Sequence, residues 1–96
     1  MEPISMILFL LLSAAAGAGT VVAYLNWSTI SSWITRNQVP GGYADVIAKR
    51  LATGQFEVVA GVFGPARVQI HSVAWKARQL DPYLASRLNE VLRVQT

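Results

Sequence analysis

ISMILFLLLSAAAGAGTVVAYL, residues 4–25, is the stretch on which the fold reading turns. It runs 22 residues without a charged side chain. At about 1.5 Å per residue, a helix of that length covers roughly the 30 Å hydrocarbon core of a bilayer. A cleavable signal peptide is the competing reading, and the run Ala14-Ala15-Ala16-Gly17-Ala18 looks like a cleavage region. Against it, the n-region Met1-Glu2-Pro3 carries no positive charge, and the apolar run continues through Val21, Val22, Tyr24 and Leu25. The stretch therefore predicts a single N-terminal transmembrane helix, with residues 1–25 as the anchor.

Small residues crowd the second half of the span. Ala15, Gly19 and Ala23 recur every fourth residue, as do Ser13 and Gly17. On a helix this spacing makes one face small enough for two backbones to approach closely in lipid. It predicts a contact with a second copy or with another membrane subunit.

Charge then sets the orientation. The chain is 53% hydrophobic and 14% charged, well below the roughly 25% charged of soluble domains. After Glu2 the next charge is Arg36, and all eight Lys/Arg lie from there onward. A Lys/Arg bias after the span predicts an outside N-terminus and a cytoplasmic C-terminal domain. The net charge of +3 is dispersed, with no basic run longer than Lys49-Arg50, so no nucleic-acid partner is expected.

Residues 26–38 follow as an amphipathic helix. Trp27, Ile30, Trp33 and Ile34 share one face, and Ser28, Thr29, Ser31, Ser32 and Thr35 fill the other. Tryptophan favours the headgroup layer, which predicts a helix lying at the bilayer interface. Packing of both tryptophans onto the soluble domain is the alternative.

Residues 39–96 read as a small soluble α+β domain. Val39-Pro40-Gly41-Gly42 breaks the helix. Tyr43, Val46, Ile47 and Leu51 suggest a second amphipathic helix, supported by an Asp45–Lys49 pair and ended by Gly54. QFEVVAGVF (55–63) and RVQIHSVAW (67–75) read as an antiparallel hairpin around Gly64-Pro65-Ala66. Asp81-Pro82 opens a last helix, striped by Leu84, Leu88, Val91 and Leu92. The predicted order is helix, β-hairpin, helix. Two strands make a thin core, which implies support from another surface.

Trp27, Ile30 and Trp33, then Gly54, Phe56, Val58, Val59, Gly61 and Phe63, and finally Leu80-Asp81 resemble a pattern found in small bacterial proteins. These carry a Trp-x-x-Ile-x-x-Trp helix followed by a Gly-x-Phe/Tyr-x-Val-Val-x-Gly-x-Phe strand. The resemblance spans residues 26–90. It implies the same order of elements and transfers no activity or site residue; with the predicted span it goes with a bacterial inner-membrane location.

Reactive chemistry is sparse. There is no cysteine, His71 is the sole histidine, and Asp45, Glu57, Asp81 and Glu90 are scattered. No catalytic residue, metal site or cofactor is expected. The reading that follows is a non-enzymatic structural or accessory subunit of an oligomeric or multi-subunit membrane assembly, in contact with the lipid bilayer. A membrane-acting effector, such as a small pore-former or toxin, and a tethered module for anionic ligands are the alternatives.

Overall fold

The computed structural model describes residues 20–66 and 68–95. Along the chain run β1 (Thr20–Leu25), α1 (Trp27–Asn37), β2 (Tyr43–Arg50), β3 (Phe56–Phe63), β4 (Gln69–Leu80), α2 (Pro82–Ala85) and β5 (Leu92–Gln95). The strands form one five-stranded sheet in the order β1-β4-β3-β2-β5. β1 pairs with β4 in parallel, Thr20 opposite Trp75 and Leu25 opposite Leu80. All other neighbours are antiparallel, with Tyr43 opposite Phe63, Glu57 opposite Lys76 and Asp45 opposite Arg93.

Alternation along the strands builds two faces. On the first, Ala44, Val46 and Ala48 of β2 meet Val58, Ala60 and Val62 of β3 and Trp75 and Ala77 of β4. Helix α1 closes this face with Ile30 and Ile34, and α2 adds Leu84. The second face carries a smaller cluster of Ile47 and Val59, with Ala74 and Val91 against it. Because both faces of β2 and β3 are buried, those strands read as continuous apolar runs rather than clean alternations.

This architecture overturns the predicted one of a transmembrane helix plus helix, hairpin and helix. Thr20–Leu25, the last quarter of the predicted span, is a strand. TVVAYL is rich in β-branched and aromatic residues, and pairing with β4 accounts for its apolarity. Among the described residues no helix is long and apolar enough to cross a membrane. The remainder of the predicted span, residues 4–19, lies outside the described residues.

The second predicted helix is also a strand. Tyr43–Arg50 sits between β3 and β5. Its apolar residues recur at helical spacing because both strand faces are buried. Four residues apart in a strand is about 13 Å, so Asp45 and Lys49 are no local pair. Asp45 instead bonds Arg93. Gly54 closes no helix. It takes φ 89 in the turn between β2 and β3, where the Leu51 N–H donates to the Gln55 carbonyl at 2.7 Å.

The hairpin of β3 and β4 is present, and α2 starts where Asp81-Pro82 suggests. That helix stops after four residues. Asn89 adopts φ 66, turning the chain back, and Leu92, expected on the helix stripe, becomes the first residue of β5.

Candidate interaction surface

Helix α1 shows how local sequence sets the surfaces. The Asn26 side chain accepts from the Thr29 N–H at 3.0 Å and starts the helix. The serine and threonine face stays outward, while Ile30 and Ile34 are buried. Trp27 and Trp33, expected with Ile30 and Ile34 at a bilayer interface, pack against the core cluster. Trp33 meets Trp75 edge-on at 6.3 Å between ring centroids. Trp27 lies 5.1 Å from Tyr83. All four residues thus form the helix face that joins the domain. Of the predicted helix-contact residues, Ser13, Ala15, Gly17 and Gly19 lie outside the described residues. Ala23 is exposed on β1, where a four-residue helical spacing does not apply.

The second sheet face holds polar groups the sequence did not single out. Asp45 is fully buried and takes a bidentate ion pair from Arg93, Nε to Oδ1 at 2.9 Å and Nη2 to Oδ2 at 3.1 Å. The Arg93 guanidinium also lies 4.5 Å over the Tyr43 ring, which stacks on Phe63 at 5.2 Å. Glu57 is fully buried on β3, opposite Lys49 on one side and Lys76 on the other, and neither carboxylate oxygen is hydrogen-bonded. No signal in the linear pattern links Asp45 to Arg93, 48 residues away.

Exposed apolar side chains occur on the opposite edge strand, β1, and at the start of β4. Val21 is 66% and Tyr24 50% exposed on β1; Val68 is 63% and Ile70 48% exposed where the chain enters β4. Of the exposed large apolar side chains described, only Tyr83 lies elsewhere, on α2. β1 pairs with Trp75–Leu80, so Val68 and Ile70, at the other end of β4, form a separate exposure, and β1 is the edge strand whose exposed apolar side chains face a missing neighbour.

His71, on β4, is exposed. Comparison of the chain with protein-family models, curated proteins and solved structures returns no significant match.

Proposed function

We propose that this chain is a non-enzymatic structural or accessory subunit that assembles through the β1/β4 margin of its sheet. The observation that supports this reading is the edge position of β1, a strand with a neighbour on one side only and with Val21 and Tyr24 exposed. Edge strands are ready templates for a neighbouring chain, and soluble proteins commonly guard them with charge. β1 carries none over Thr20–Leu25. The chosen partner is another protein subunit, a second copy or a different chain.

The test is the mass of the full chain by light scattering across a concentration series. A mild detergent keeps residues 4–19 from driving association themselves. A mass above the monomer is expected, falling when Val21→Lys and Tyr24→Lys are combined. Both side chains are at least half exposed, so the fold tolerates the change. An oligomer whose mass ignores the double variant would remove this margin from the reading, and a monomer at every concentration would remove self-assembly.

A further inference from the structure

We infer that the partner taken by the β1 edge is a second copy of this chain, the two β1 strands pairing antiparallel about a two-fold axis at Val22. The inference rests on the reading of β1 as the assembling edge, and it names the partner and the register.

The backbone decides what this edge can accept. Leu25 turns its carbonyl inward, where it accepts the Asp81 N–H at 3.0 Å just beyond the end of β4. Backbone groups alternate in direction along a strand, so Val21 and Ala23 also turn theirs toward β4. The N–H and C=O of Thr20, Val22 and Tyr24 therefore point away from the sheet, and among the described residues no strand lies on that side. These positions are evenly spaced about Val22. An antiparallel copy laid against them sets Val22 opposite itself and Thr20 opposite Tyr24, and each facing pair exchanges both of its hydrogen bonds. Sliding the copy by one residue would set outward groups against inward ones. Sliding it by two would shorten the ladder.

The side chains suit the same register. Val21, 66% exposed, falls opposite Ala23, which is also exposed, so the branched side chain meets a single methyl group on one sheet face. No charged side chain occurs over Thr20–Leu25. Near a two-fold axis every side chain lies close to its own copy, and a charge would be set against a like charge. The same lack of charge leaves the strand nothing with which to select a partner of complementary charge. An overlap of residues 20–24 is a small contact beside the about 800 Å² per partner of a standard interface, so the dimer should dissociate on dilution.

The chain has no cysteine, so an introduced pair reports the register cleanly. Full-length Val21→Cys and Ala23→Cys chains, in mild detergent, are oxidised separately and as an equal mixture, then run on a non-reducing denaturing gel. In the two-fold register positions 21 and 23 face each other as a non-hydrogen-bonded pair with Cα atoms about 4.5 Å apart, within disulfide reach. Each position lies diagonally from its own copy, at about 7–8 Å, beyond easy bridging. The mixed disulfide should form several-fold faster than either self-disulfide. A mixture that cross-links no faster than the separate chains overturns the pairing.

A backbone variant tests the same ladder by another route. Val22→Pro removes an N–H that points out of the sheet, an orientation in which an edge strand accepts proline. Its mass should stay at the monomer at concentrations where the wild type is a dimer, with the far-ultraviolet circular dichroism unchanged. A dimer that persists in the folded variant overturns the proposal as well. If Val21→Lys with Tyr24→Lys lowers the mass but the mixed disulfide shows no advantage, self-pairing is rejected and the β1 edge stands as the assembly surface. If neither has any effect, both are rejected.

Discussion

Truncating Arg93 to alanine tests how much of the sheet depends on one buried carboxylate. Asp45 is fully buried, and Arg93 meets it through two hydrogen bonds at 2.9 and 3.1 Å. Removing one partner of a buried pair costs about 3–5 kcal/mol, because the remaining charge stays out of water. The Arg93 side chain is 36% exposed, so solvent screens its end of the pair and water can reach the vacated site. The lower end of the range for truncated charge pairs, about 2–3 kcal/mol, is therefore expected. For a domain of this size that lowers the melting temperature by about 10–20 °C. Circular dichroism melts measure the drop, and hydrogen exchange locates it in β5 and the facing half of β2. Replacing both residues together, Asp45→Val with Arg93→Met, removes the stranded charge and should be less damaging than Arg93→Ala alone. A loss below about 1 kcal/mol for Arg93→Ala would refute the reasoning. So would a double variant worse than the sum of its parts.

Three further outcomes follow from the packing. Glu57→Leu should raise stability by about 1 kcal/mol or more, because it removes a buried carboxylate with no hydrogen-bond partner; a lower urea midpoint would show that the carboxylate is paired in solution. Gly42→Ala should lose about 1–3 kcal/mol, since a Cβ there runs into the Phe63 carbonyl oxygen, and an unchanged melt would contradict that close approach. Asp81→Ala should lose about 2 kcal/mol by stranding the backbone N–H groups of Trp27 and Leu84, whereas Asp81→Asn should recover part of it; equal melts for alanine and wild type would sink the capping argument.

The sequence was legible where structure is local. QFEVVAGVF and RVQIHSVAW declare a hairpin because β-branched runs flank a Gly-Pro turn, and Asp81-Pro82 declares a helix start because the cap and the fixed proline φ act within four residues. It misled where burial on both sides erased alternation. Tyr43–Arg50 has Ala44, Val46 and Ala48 on one face and Asp45 and Ile47 on the other, so its apolar residues match a helical period as well as a strand. The stretch TVVAYL misled for a related reason. A charge-free run satisfies a membrane-span template, and only its long-range pairing with Trp75–Leu80 shows it as an edge strand. The candidate surface was illegible altogether, because the edge position of β1, or the adjacency of Asp45 to Arg93, is a property of strand order and not of spacing.

Strand order also depends on Asp81 in a way that its local cap signal conceals. A parallel pair such as β1 and β4 cannot be closed by a hairpin and must be held across a long stretch of chain. Here the holding is done where both strands end. The Asp81 N–H donates to the Leu25 carbonyl at 3.0 Å, continuing the ladder one step beyond Leu80. Its Oδ2 accepts the Trp27 N–H at 2.6 Å and its Oδ1 the Leu84 N–H at 2.8 Å. One carboxylate thus satisfies a donor at the start of α1 and another at the start of α2, groups that a helix cannot pair internally. Trp27 then lies against Tyr83 at a tilt of 48°, so the two helix starts are joined through rings as well as through hydrogen bonds. The consequence reaches the proposed contact surface. β1 leads directly into α1, and α1 is anchored to the sheet by Ile30 and Ile34, so the strand carrying Val21 and Tyr24 is fixed at its C-terminal end. A partner that docks there meets side chains already held in place, and little ordering entropy is left to oppose association.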